Sequence, residues 1–280
     1  MPDTTTLALR ESTLRIDPES GIAEFSHQRP ERRNPLSLEL RQDYIDMLDR
    51  VEPDRGIRAL ILTGAGGAFC AGGDLRSLQD RMASSDPEVN SPDAMRRRIL
   101  AGHAWFERLR SLEVPVIAAV DGPAAGAGMS IALAADFILA STRASFSMSF
   151  VKVGLLPDMA AFYALPRIVG MAVAKELMMT ARRVDAAEAK QLGIVHSLHD
   201  DAELAGEARR FARRFEGASR HALAQTKRLL ARSFETPYAT LMELEANGQA
   251  VASATPEHAE AVRRFLAGER AAYDWDRAAG

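Results

Sequence analysis

One pattern, used twice, constrains this chain more than any other. The apolar run "ALILTG" (59–64) leads to the small residues of "AFCAGGDL" (68–75), and "VPVIAAV" (114–120) leads to "DGPAAGAG" (121–128); each then enters a helix-like stretch. Short apolar runs bounded by turn residues read as buried strands, and strands that pass directly into helices imply a layered α/β core. The rest of the first two-thirds agrees with this. "LRI" and "IAEF" flank the turn signal "DPESG" (17–21) and predict a hairpin, and residues 37–51 place Leu38, Tyr44, Ile45 and Leu48 at near-helical spacing behind Ser37, a candidate N-cap. A helix is expected over roughly 95–111, another over "GAGMSIALAAD", and two short strands in "FILASTRASFSMSF". Residues 79–95 are polar, with two prolines, and read as a mobile insertion. From about residue 184 onward the pattern is almost wholly helical.

Composition narrows the function. A net charge of −3 offers no global basic field for nucleic acid. The longest apolar region, 114–140, is interrupted by Asp121 and Asp136, which argues against a membrane span, and the N-terminus has acidic residues and no continuous apolar core, unlike a secretory signal. Cys70 is the single cysteine, so no internal disulfide or multi-cysteine metal site exists, and a reducing compartment, by default the cytoplasm, is expected. His27, His103, His196, His199, His221 and His258 show no paired spacing, which favours surface or satisfied interior roles over metal ligation.

The two small-residue loops admit two explanations. Each leads to a helix whose first turn leaves backbone N–H groups free, and small residues let a ligand approach that backbone. Facing one another, they would aim two amide donors at one oxygen, as in an oxyanion hole. Alternatively, each is only a tight strand-to-helix connection. Neither is a nucleotide fingerprint: "GAGGAFCAGGD" lacks the Lys-Ser/Thr of a P-loop, and "GPAAGAG" lacks a well-placed acidic ribose ligand.

Five blocks, "RPERRNPLS", "ALILTGAGGAFCAGGDL", "PVIAAVDGPAAGAGMSIALAADFILAS", "ASFSMSFVKVGLLPD" and "LPRIVGMAVAKELMMTARRVDAAEAKQLGIV", in this order and spacing, resemble the crotonase family of enoyl-CoA hydratases and isomerases. The match covers roughly residues 20–200 well and the helical tail loosely. The resemblance implies a crotonase-like α/β spiral of ββα units with a C-terminal helical segment. Residues 1–200 would be the acyl-CoA-binding core, and 201–280 would close the pocket and build a homotrimer or a dimer of trimers. It implies an acyl-CoA thioester as substrate, with coenzyme A part of that substrate and no separate cofactor or metal. It places the two oxyanion amides at Gly73 and Ala127, with the positive end of the helix near Gly126 behind them. Ala71, Gly72, Gly73, Asp74 and Leu75 would line the substrate groove, joined by Gly126, Ser130 and Phe150. Among other acids, Asp74 reads as a helix cap or loop brace, and Asp121 and Asp136 as turn braces. Lys227, Arg263, Arg264 and Phe265 lie in helices that in relatives close over the acyl chain or a neighbouring subunit's coenzyme A; they equally fit a solvated helix face with one core residue.

The sequence departs from the hydratase pattern. Hydratases of this family have two glutamates, suited to activating water and protonating the α-carbon; the matching positions here are Ser130 and Phe150. Ordinary water addition is therefore not expected. Asp158, in "GLLPDMAAF", is a favoured N-cap on its residue type alone. The resemblance gives it another role: isomerases of dienoyl-CoA and of ring-epoxide phenylacetyl-CoA place a catalytic Asp at this turn, and a relative that removes chloride from an aromatic thioester uses one there as nucleophile. One carboxylate suits a 1,3-proton shift, so the expected activity is an enoyl-CoA isomerase with Asp158 as base. Hydratase-like activity and a non-catalytic acyl-CoA binder are the alternatives. Phe146, Met148, Phe150, Met159 and Phe162 are candidate apolar walls that would raise the Asp158 pKa. Relatives that dehalogenate also have a histidine base and a ring-clamping aromatic, and no matching histidine falls within 82–95, so that activity is not expected.

Overall fold

The computed structural model describes residues 4–275. Strands β1 (Thr5–Ala8), β2 (Ser12–Asp17) and β3 (Ile22–His27) form an antiparallel meander in which Thr13 faces Ser26. The expected hairpin is its second half. Gly21 makes the turn at φ 67°, and a methyl there would lie 2.4 Å from the Gly56 carbonyl oxygen, so only glycine fits. Helix α1 (Leu38–Val51) begins as expected at Ser37, whose Oγ accepts from the Leu40 N–H at 3.0 Å. Strand β4 (Ala59–Gly64), helices α2 (Leu75–Ala83) and α3 (Pro92–Arg110), strands β5 (Val116–Val120) and β6 (Pro123–Ala125) and helix α4 (Ala127–Ala134) follow. Next come β7 (Phe137–Ser141), β8 (Ser145–Ser147), α5 (Ala161–Thr180), β9 (Val184–Asp185), α6 (Ala186–Gln191) and β10 (Ser197–His199). Helices α7 (Leu204–Arg213), α8 (Arg220–Arg232), α9 (Tyr238–Ser253) and α10 (Pro256–Leu266) complete the described chain.

The main sheet has the order β1-β2-β3-β4-β5-β7-β10, and every pairing from β3 onward is parallel. A second, small sheet is ordered β6-β8-β9. The strand period of two explains why β4 and β5 read as continuous apolar runs. Leu60, Leu62, Val116, Ala118 and Val120 face a core shared with Tyr44, Met47, Leu48, Trp105 and Leu109 of α1 and α3. Ala59, Ile61, Ile117 and Ala119 face the other side, where Leu204, Ala208, Phe211 and Ala212 of α7 cover them. The division at residue 200 thus falls just before a helix that packs on the sheet itself.

Two expectations about local structure need correction. The stretch 79–95 is not one loose insertion: α2 runs on to Ala83 and α3 starts at Pro92. Two caps fix these helices, Asp74 accepting from the Arg76 N–H and Ser91 from the Ala94 N–H, and the Asn90 amide pins the loop between them to the Met82 and Ser84 carbonyls at 3.0 and 3.1 Å. The region beyond 184 is not purely helical, because β10 adds a parallel edge strand beside β7. Before Asp158 the chain forms a 3-10 turn over Ser149–Val153.

Helices α8, α9 and α10 extend beyond this core and leave Leu230, Phe234, Tyr238, Phe265 and Leu266 exposed. Lys227 of α8 ties them back, with its Nζ 2.7 Å from Asp136 Oδ2 and 2.9 Å from the Val114 carbonyl. Among the described residues no helix is long and apolar enough to cross a membrane.

Candidate active site

The small residues of the two loops exist so that the loops can touch. The Cys70 N–H donates to the Pro123 carbonyl at 3.1 Å and the Ala125 N–H to the Cys70 carbonyl at 3.0 Å. A methyl on Gly128 would lie 2.2 Å from the Cys70 carbonyl oxygen, and one on Gly72 would lie 2.7 Å from the Ala125 carbonyl oxygen. On its far side the first loop is held by Leu36, whose N–H donates to the Gly72 carbonyl at 2.7 Å. The question left open by the sequence, oxyanion hole or plain turn, is sharpened by what remains unbonded. Among the described residues, neither the Gly73 N–H nor the Ala127 N–H has a hydrogen-bond partner. The two amides sit at adjoining points, since the methyl position of Gly72 is 3.7 Å from the Ala127 nitrogen. Ala127 opens α4, where the helix has no partner for its first N–H groups and Gly126 offers no side-chain cap.

These amides border a cavity of about 450 Å³. Ala71, Gly72, Gly73, Asp74, Leu75, Gly126, Ala127, Phe150 and Asp158 all line it. Ser130 does not: it is 1% exposed, and its Oγ donates to the backbone carbonyl of Asp158 at 3.2 Å. Asp74 caps α2 and lies 3.4 Å from Arg32, as a brace should. Of the five candidate walls, Phe150 and Met159 line the cavity, whereas Phe146 and Met148 are deep core and Phe162 is exposed. Leu36, Leu38, Met95 and Ile99 supply apolar surface in their place.

Asp158 is not a helix cap. Helix α5 starts at Ala161, with Ala160 in the cap position and no side-chain cap bond. Met159 and Ala160 are both left-handed, at φ 50° and 56°, a conformation costing roughly 1–2 kcal/mol for each non-glycine residue. This strained turn presents the carboxylate to the cavity, and Asp158 Oδ1 is buried without a hydrogen-bond partner. Burial raises the Asp158 pKa, opposed by the positive charge of Arg41 and then by His103. His103, on α3, lies outside residues 82–95; it is exposed and does not line the cavity.

The sequence pattern singles out neither Arg41 of α1 nor Arg81 of α2, and both line the cavity. Each has a buried Nε with no hydrogen-bond partner. The other charged candidates are structural. Asp121 accepts from Ser141 Oγ at 2.8 Å and from Arg143, and Asp136 accepts from the Val116 N–H at 2.7 Å. His27 is a satisfied interior histidine: Nδ1 donates to the Phe69 carbonyl at 2.9 Å, so Nε2 accepts from Tyr44 Oη at 2.8 Å. Arg263 and Arg264 pair with Glu260, and Phe265 stands in solvent. Among the described residues no cluster of His, Cys, Asp and Glu could hold a metal ion.

Comparison with known proteins gives the site its context. A model of the enoyl-CoA hydratase/isomerase family matches residues 17–277. A 1,2-epoxyphenylacetyl-CoA isomerase of Escherichia coli (strain K12) is 35% identical over 249 residues, covering 89% of this chain and 93% of the relative. A probable enoyl-CoA hydratase of Rhodobacter capsulatus is 32% identical, covering 91% of this chain and 95% of the relative. The crystal structure of an enoyl-CoA hydratase/isomerase from Cupriavidus metallidurans CH34 matches with a TM-score of 0.89 at 38% identity, over 95% of this chain and 97% of that one.

Proposed function

The chain belongs to the enoyl-CoA hydratase/isomerase family and has its crotonase fold, and from that premise we propose that it is a double-bond isomerase of acyl-CoA thioesters with Asp158 as its base. The observation that carries this reading is the buried, unpartnered Asp158 Oδ1 in the cavity bordered by the free Gly73 and Ala127 amides. The thioester carbonyl oxygen lies between those amides. Asp158 removes a proton from the α-carbon of a 3-enoyl thioester, and the electron pair moves to the carbonyl oxygen, where the two N–H groups stabilise the enolate. The enolate collapses, the double bond moves to the α,β position, and Asp158 returns the proton to the γ-carbon. No atom is gained or lost, so no cofactor is needed beyond the coenzyme A of the substrate itself. A raised pKa suits this cycle, because the protonated acid then holds its proton long enough to deliver it to carbon.

Water addition fits less well. It requires an acid and a base, Phe150 supplies neither, and the Ser130 hydroxyl is committed to the Asp158 backbone. A second reading, in which Asp158 attacks a chloride-bearing ring carbon of an aromatic thioester, chloride leaves and water then releases the ring product, rests on the carboxylate alone, since His103 is exposed and does not line the cavity. The exposed apolar side chains of α8–α10 support assembly as a homotrimer or a dimer of trimers. A reducing compartment such as the cytoplasm suits Cys70, whose thiol is fully buried and pushed up to about 11.

The test is turnover of 3-enoyl-, 2-enoyl- and 4-chlorobenzoyl-CoA by the purified protein and by Asp158→Asn, following double-bond position, hydration and chloride release. Isomerisation that disappears in the variant supports the reading. Chloride release selects the second. Hydration that persists in Asp158→Asn, or tight binding without turnover, overturns both.

A further inference from the structure

Among the cations that line the cavity, Arg41 and Arg81 are set apart by a buried guanidinium nitrogen without a partner. In each it is Nε, and neither side chain forms an ion pair with a described carboxylate. They are close enough to repel: Arg81 lowers the Arg41 pKa, and Arg98 lowers that of Arg81, after burial as the larger cause in both. The nearby acids do not neutralise them. Asp158 acts on Arg41 without an ion pair, Asp80 is exposed, and Asp74 is engaged with the first turn of α2 and with Arg32. Partly buried guanidiniums without anions are costly unless a ligand completes them, and their forked donors match a carboxylate.

From this pair we infer that the acyl group of the substrate bears its own carboxylate, distal to the thioester, which Arg41 and Arg81 bind. The inference rests on the placement of the thioester carbonyl between Gly73 and Ala127 and narrows the substrate class. A coenzyme A phosphate is the other anion available to such a pair. Arg41, however, lines the same cavity as Asp158, at the reacting end, and the whole pantetheine arm separates that end from the phosphates. The carboxylate therefore belongs to the acyl chain. Its attraction also offsets the repulsion between the two arginines and leaves Asp158 free to exchange protons with carbon.

Equilibrium binding tests this without turnover. Succinyl-, glutaryl- and adipyl-CoA have no double bond to move, and each is compared with the ester in which an isopropyl group replaces the terminal carboxylate. At least one acidic ester is expected to bind the wild-type protein about tenfold or more tightly than its apolar partner, the scale of a hydrogen-bonded charge pair. Arg41→Gln and Arg81→Gln should each remove most of that preference while affinities for the apolar esters and for free coenzyme A change by less than about twofold. Equal or weaker binding of all three acidic esters by the wild-type protein overturns the inference whatever the variants do. A variant that loses affinity equally for free coenzyme A assigns the arginines to a phosphate and also overturns it. Because Asp158 plays no part in these measurements, an isomerase reading that fails in turnover is told apart from a carboxylate site that fails in binding.

Discussion

Across the cavity, the loops around Gly73 and Ala127 meet through main-chain hydrogen bonds and present almost no side chain, whereas α1 and α2 opposite present two long cations, Arg41 and Arg81. Main-chain donors survive any substitution that preserves the backbone, and every thioester offers them the same oxygen. Side chains on a helix change one residue at a time without moving the frame. Under the proposed function, the loop side fixes what kind of carbonyl is activated, and the helix side together with Asp158 fixes which acyl group is accepted and where its protons go.

The largest effect expected is at the group between the two sides. Asp158→Asn should lower isomerase kcat by about 10²–10⁴-fold with the binding of saturated esters retained, as measured by rapid kinetics and calorimetry. Ala127→Pro attacks the loop side alone: it deletes one N–H at the first position of α4, where proline is tolerated. It should cost about 10²–10³-fold in kcat/KM, and by the same factor for every acyl group. A loss that varied with the acyl group would break the division just drawn.

His27 joins the two sides by linking Phe69 of the first loop to Tyr44 of α1, and full burial lowers its pKa to about 4. Below the ordinary histidine pKa near 6.5 the unfolded chain takes up a proton that the folded one resists. His27 therefore makes stability fall as pH drops from about 6.5 toward 4, by on the order of 3 kcal/mol in total. Thermal melts of the wild type and of His27→Gln over this range should show a shallower acid slope in the variant. Asp74→Ala removes only the α2 cap and a brace to Arg32, at about 1 kcal/mol, measurable by urea titration. The smallest effect is on the pH profile. The acid limb of kcat/KM should report the raised pKa of Asp158, with activity lost as pH falls through it, and Arg41→Gln should move that limb to higher pH because Arg41 pulls this pKa down. A limb that stays in place would detach Arg41 from the base.

What the sequence revealed follows the range over which each interaction acts. Ser37 as a cap, the turn at Gly21 and the two small-residue loops were legible because each depends on neighbours within a few positions, and the pairing of those loops was a natural guess once both followed strands. Asp158 was legible as a candidate through the family pattern, while its residue type alone favoured a cap that the structure does not form. Arg41 and Arg81 left no local signature. They stand forty residues apart on helices whose spacing marks them as ordinary surface positions, and only the return of the chain around the sheet sets them against one cavity. The strand β10 is three residues long and was hidden among helical segments for a similar reason, since its stability comes from pairing with β7, nearly sixty residues earlier.

The hydrogen bond from Ser130 to the Asp158 carbonyl sets a gauge. In the proposed reaction helix α4 offers its first amide to the carbonyl oxygen and, one turn later, grips the backbone of the residue that would handle the protons. A single rigid rod thus spaces donor and base, and the gap between them is indifferent to whatever acyl chain enters. New chemistry could arise on this frame by changing the group held at the second mark, with the spacing inherited unchanged.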